Sequence, residues 1–189
     1  MKTIKTAVYL IMAAFVMGCH KKTDVQPTIP IPNGDFESWT GTERLQGWLS
    51  NSCPECMPPV ETYIVQQDAG AYHGRYDAKF IYNNAYPAWA QNTFYIASHP
   101  VSLTAFVKSS ILGADTVSIK IRLYKNTTEV DSGHWIGTTS ITLFTKIVIP
   151  ITQSSMQVDT AKILITGGHV NSTNLATNTI LWVDYLGLQ

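Results

Sequence analysis

Between Val117 and Tyr124 the chain alternates strictly: Val117, Ile119, Ile121 and Leu123 are apolar, and Ser118, Lys120, Arg122 and Tyr124 stand between them. In an extended chain successive side chains point to opposite faces, so this segment predicts a strand with one buried and one wet face. The stretch VSLTAFVK repeats the pattern with Val101, Leu103, Ala105 and Val107, and LFTKIVIPI does so with Leu143, Ile147, Ile149 and Ile151. Shorter runs, ETYIVQQ, AKFIY, NTFYIA, TAKILIT and the closing TILWVDYLGL, predict further strands. Turn formers separate them, as in QDAGAYHGRYD, KSSILGAD and TGGHVNSTN. No segment of helical length carries a 3.6-residue period, and no internal repeat is visible. Many short strands between Gly-, Asn- and Ser-bearing loops predict an all-β chain folded as an antiparallel β-sandwich.

Two carboxylates break the apolar pattern near the ends of this region. Asp184 interrupts the last run, and alternation places it on the side shared with Ile180, Trp182, Leu186 and Leu188. Glu37 stands between Phe36 and Trp39 in IPNGDFESW, where a turn-forming Asn33-Gly34-Asp35 opens the fold. A carboxylate on an apolar face is costly unless it is paired or bound to a cation. Were the first and last strands side by side, the two acids could meet and share one Ca²⁺ completed by backbone carbonyls. Pairing with Lys or Arg, or exposure at a strand end, would resolve them equally well.

Charge adds little. Thirteen Lys and Arg balance thirteen Asp and Glu, and they are scattered, so no basic stripe suits a phosphate backbone and nucleic acid is not an expected partner. Aromatic residues are more informative, because flat rings with polar tips suit ligands that are apolar on one face. Tyr86 and Trp89 flank Pro87, with Asn83, Asn84, Gln91 and Asn92 as amide partners. Arg122 and Tyr124 lie two apart on the wet face of their strand, where they would line a groove with Lys120, and Trp135 occupies the turn-like DSGHWIG. Tyr86, Trp89, Arg122, Tyr124 and Trp135 are therefore the candidate ligand-binding residues, whereas Trp39, Trp48 and Trp182 are expected in the core. Asp68, Asp77, Asp115, Asp131 and Asp159 stand near expected turns, where Asp is ordinary turn chemistry. With no nucleophile elbow, His-Glu zinc motif or phosphate loop, no enzymatic activity is expected. Cys53 and Cys56 suit a short-loop disulfide in an exported protein; a redox pair would need a βαβ setting, and zinc would need two further ligands.

The first residues read as a targeting segment. Lys2 and Lys5 precede an apolar run from Thr6 to Met17, which is shorter than the roughly 20 residues a membrane span needs. Val16-Met17-Gly18-Cys19 resembles the lipobox of bacterial lipoproteins, which implies lipidation of Cys19 after cleavage before it. Polar residues and then Pro27, Pro30 and Pro32 read as an extended tether. The expected organisation is a signal peptide over 1–18, a lipid-anchored tether over 19–31 and a β-sandwich over 32–189.

Across about residues 31 to 188 the order of motifs resembles a known family. NGDFESW, LQGW, GAYHGRYDAKF and ILWVDYLGL are similar to the galactose-binding-like jelly rolls that include many carbohydrate-binding modules. The central segments are similar to surface lipoprotein domains of Bacteroidetes described as carbohydrate-metabolism domains. The resemblance implies a jelly roll with a structural calcium site, in which Glu37 and Asp184 are side-chain ligands and carbonyls near Asp35, Gly74 and Lys79 complete the shell. Tyr185 stands where the family often has a second acid. It further implies an outer-membrane lipoprotein, periplasmic or surface-facing, that binds glycan and works with the protein partners of a glycan-uptake system. A structural or adhesive lipoprotein that binds a protein partner is the alternative.

Overall fold

The computed structural model describes residues 29–52, 64–82, 88–168 and 179–189. A short ribbon pairs β1 (Trp39–Thr40) with β2 (Arg44–Leu45), ahead of β3 (Leu49–Ser50) and β4 (Val65–Asp68). Longer strands follow: β5 (Asp77–Ile81), β6 (Ala88–Tyr95), β7 (Ser102–Ser110), β8 (Val117–Lys125), β9 (Thr128–Gly137), β10 (Ile141–Pro150), β11 (Thr160–Gly167) and β12 (Ile180–Leu188). They form two five-stranded sheets, ordered β10-β7-β12-β5-β4 and β3-β6-β11-β8-β9. Every pairing between neighbours is antiparallel. The expected all-β jelly-roll sandwich is the fold.

The alternation in β8 does what the sequence predicts. Val117, Ile119, Ile121 and Leu123 enter the core beside Ala161, Ile163 and Ile165 of β11. From the first sheet Leu103, Ala105 and Val107 of β7 and Leu181 and Val183 of β12 face them. Full burial of one such large aliphatic side chain contributes roughly 1.5–3 kcal/mol, and the core is built from many of them. At the end of β11 the sheets approach closely: a Cβ on Gly167 would stand 2.7 Å from Cβ of Phe80, so only glycine fits.

Three pairings carry a bulge, that of β8 with β9 between Leu123 and Tyr124 and those that bring β12 and β10 against β7. In β12 the register against β7 shifts between Asp184 and Gly187, and Tyr185 takes a left-handed φ of 48°. Asp184 therefore shares the outer side with Trp182, while Leu186 and Leu188 drop into the core, contrary to the expectation that all four lie together. An extra residue rephases everything after it, which a period-two count cannot anticipate. In β10 the register shifts between Ile141 and Thr145, so Leu143 is 77% exposed although alternation with Ile149 predicted burial. Trp182 is likewise not a core residue; it lies on the outer face of its sheet.

The entering chain closes the sandwich at this sheet. Ile29 bridges Leu188, its N–H donating to the Leu188 carbonyl at 3.0 Å, and the Leu186 N–H donates to Gly34 O at 2.7 Å. The segment before β1, rather than β1 itself, lies beside the terminal strand.

Candidate functional site

The seam between chain entry and terminal strand is covered by the loop between β4 and β5. Tyr72 of this loop stacks on Phe106 of β7, with ring centres 3.6 Å apart. The His73 N–H donates to Asp184 Oδ2 at 2.7 Å, and the N–H groups of Arg75 and Tyr76 donate to Glu37 Oε1 at 2.7 and 2.9 Å. Gly74 between them has a φ of 75°, and a Cβ there would lie 2.2 Å from Glu37 Oε1. Glu37, Gly74 and Asp184 are thus brought together as the sequence predicts. Asp35 lies apart, lining a cavity of about 380 Å³ with Phe106, Lys146 and Tyr185. Lys79 sits opposite Trp182 on the outer face, its ammonium 5.6 Å from the centre of the Trp182 ring.

A further acid completes this region. Asp77 opens β5 directly opposite Asp68 of β4 and is fully buried, so it is not the turn residue the sequence suggests. Asp131 is another exception: it is buried in β9 and accepts hydrogen bonds from Ser154. Both Asp77 carboxylate oxygens and Asp184 Oδ1 are buried without a hydrogen-bond partner. Burial, then the neighbouring Asp68, pushes the Asp77 carboxyl up to about 7. Asp184 is also raised, by burial first, against backbone hydrogen bonds from His73, Tyr185 and Tyr72.

The unpartnered Asp184 Oδ1 near Glu37, and the two unpartnered oxygens of Asp77 near Asp184, are the donor chemistry a hard cation such as Ca²⁺ takes. Among the described residues no three His, Cys, Asp or Glu side chains group closely enough to hold a metal alone. Carbonyls would have to complete the shell. The chemistry of the donors fits a cation that ties chain entry, loop and terminal strand together.

The outer face of the second sheet holds the other candidate residues. Cross-strand register sets Trp89 of β6 beside Thr166 of β11 and Ser118 of β8, and the next row reads Gln91, Leu164, Lys120 and His134. A third row reads Thr93, Lys162, Arg122 and Ser132, and a fourth ends the face with Tyr95, Thr160, Tyr124 and Glu129. Trp89, Gln91, Leu164 and Thr166 line a shallow depression of about 290 Å³. Tyr95 is 75% exposed at the far end. The Arg122 guanidinium is held in its charged form by the Tyr124 hydroxyl and by the Glu129 carboxylate, 3.5 Å away.

Lys120, Arg122 and Tyr124 share one face, as the sequence predicts, and Trp89, expected in a loop, joins them from strand β6. Trp135 does not join them. It pairs with the inward-facing Ile119 and packs on the core beside Gly137, whose own Cβ position lies 2.7 Å from the indole. Asn92 also faces inward, where its amide donates to Pro32 O at 2.8 Å and fastens the entering chain. Tyr86, Asn83 and Asn84, and Cys19, Cys53 and Cys56, lie outside the described residues. Sequence reasoning missed Tyr95, Lys162 and Leu164, although the alternation in NTFYIA and TAKILIT held the signal. Only the register places them against β8.

No family model matches the chain, and no curated protein matches it. Solved structures do. A candidate glycoside hydrolase from Bacteroides thetaiotaomicron superposes with a TM-score of 0.64 at 12% identity, over 85% of this chain and 71% of that one. A family 16 carbohydrate-binding module gives 0.53 at 18% identity, over 84% and 98%. A family 61 module solved with β-1,4-galactotriose gives 0.50 at 10% identity, over 83% and 91%. At these identities the likeness is one of fold: the chain has the jelly-roll sandwich that these carbohydrate-binding modules share.

Proposed function

We propose that the chain is a non-catalytic carbohydrate-binding domain of a surface lipoprotein, and that it captures glycan on the outer face of the second sheet. The observation that carries this reading is the row arrangement of that face. A partly exposed Trp89 borders a depression, with Gln91, Lys120, Arg122 and Tyr124 within a few strands of it. A pyranose ring offers C–H groups on its faces and hydroxyls around its rim. Indole and phenol rings take the former, and amide and guanidinium groups bind the latter. Likeness of fold to carbohydrate-binding modules supports the reading without naming the glycan.

In this account Cys19 carries the lipid anchor, the tether expected over 19–31 holds the sandwich off the outer membrane with Ile29 and Ile31 at its end already packed on the sandwich, and bound glycan is passed to partner enzymes or transporters. A structural Ca²⁺ at Glu37 and Asp184, with carbonyls of the covering loop around Gly74, closes the seam; Asp77 is an added candidate ligand. The cation would act on stability alone. A second reading, adhesion to a protein partner, is favoured by edge strand β10, where Leu143 and Val148 are exposed. Calorimetry or affinity electrophoresis on a polysaccharide panel separates the two. Trp89→Ala should weaken binding at least about tenfold, on the order of 1.4 kcal/mol, with the fold retained. Absence of binding to every polysaccharide would favour the adhesive reading.

A further inference from the structure

The charges on the proposed binding face are unevenly matched. Lys162 of β11 and Arg122 of β8 are direct cross-strand partners, and Lys120 lies two residues along β8 on the same side. Like charges set directly opposite on neighbouring strands destabilise a sheet. The carboxylate on this face is that of Glu129, at the rim and 3.5 Å from Arg122. Among the described residues neither Lys120 nor Lys162 has an ion-pair partner. At the end of β8, by contrast, Lys125 lies 3.5 Å from Asp159. Three cations against one acid therefore stand between Trp89 at one end of the face and Tyr95 at the other. Neighbouring strands are roughly 4.8 Å apart, comparable with the rise per sugar unit of a polysaccharide.

Resting on the glycan reading above, we infer that the ligand is an acidic polysaccharide. Its carboxylate or sulfate groups sit on Lys162, Arg122 and Lys120 while its ring faces contact the aromatic side chains. Such a ligand supplies the counter-charge that the sheet lacks, and Arg122 presents the planar fork that a carboxylate or sulfate accepts in two parallel hydrogen bonds. The charges also attract the polymer before contact, so binding should weaken as salt shortens the Debye length from about 30 Å at 0.01 M to about 3 Å at 1 M.

The test measures binding to polygalacturonate (carboxylate), dextran sulfate (sulfate) and neutral galactan at both salt concentrations. The expected result is an acidic polymer bound at least about tenfold tighter than galactan at low salt, with that preference lost at high salt. The carboxylate and sulfate arms identify which anion is preferred. Lys162→Gln should lower the acidic-to-neutral ratio several-fold, and Lys162→Arg should restore it. Equal or tighter binding of galactan, insensitive to salt and to Lys162→Gln, would overturn the acidic ligand and leave the glycan reading standing. Binding to no polymer would overturn both. Equal binding of DNA or anionic vesicles, unaffected by Trp89→Ala, would show bare charge attraction and also overturn the inference.

Discussion

Asp77 concentrates the seam's energetics in one side chain. Its carboxyl is raised to about 7 from an ordinary 3.8, because ionising it beneath the loop leaves a buried charge with no hydrogen-bond donor, close to Asp68. Since the folded value lies above the unfolded one, Asp77 is harmless below about pH 4, and its cost grows as pH rises to 7. A shift of that size corresponds to on the order of 4 kcal/mol. In chelator, chemical denaturation should show Asp77→Asn more stable than the parent at neutral pH, with the difference vanishing towards pH 4. Calcium should narrow that difference by raising the parent's melting temperature, since a cation stabilises the ionised form. A parent that loses no stability relative to Asp77→Asn between pH 4 and 7, and gains none from calcium, would contradict both the burial cost and the cation site. The residue type was plain in the sequence, but its burial was not. Asp77 follows a turn-rich stretch, and only the pairing of β4 with β5 sets it opposite Asp68 under the loop.

At the scale of elements, the existence of most long strands was legible but that of β9 was not, and strand phase was legible only where no bulge intervenes. β8 shows the success: eight alternating residues carried the inner face and, on the outer face, Lys120, Arg122 and Tyr124. β10 and β12 show the limit: one extra residue in β12 reverses the side chains after it, and two extra residues in β10 throw Leu143 outward while Ile147 and Ile149 stay on the core side. Trp135 failed for a related reason: DSGHWIG reads as a turn because of its glycines, yet it is the body of β9. Gly133 there lies against Pro150 O, too close for any side chain, so the glycine permits packing rather than a turn. The bulge in β10 has a measurable consequence. Leu143→Ala should change stability by less than about 0.5 kcal/mol, whereas Ile149→Ala, at a position 1% exposed, should cost about 2–5 kcal/mol. Comparable losses in urea unfolding would mean that β10 is regular and Leu143 buried.

Over the whole molecule the two sheets divide the work. The first carries the chain ends, the covering loop and the buried Asp77 and Asp184, and so governs how the sandwich closes. The second presents an outer face rich in cations and bordered by aromatic rings. The sandwich class was readable from alternation and turns alone. The pairing order, which assembles the binding face from β6, β11 and β8, was not, because register is set by contacts between distant segments. Capture of glycan by this face is tested most directly by a heteronuclear NMR titration of the isotopically labelled soluble chain with an oligosaccharide drawn from the polymer it binds. The expected shifts are confined to the Trp89 indole, the Gln91 amide and the residues around Lys120, Arg122 and Lys162. Shifts centred on β10 or on the seam, with that face unmoved, would contradict it.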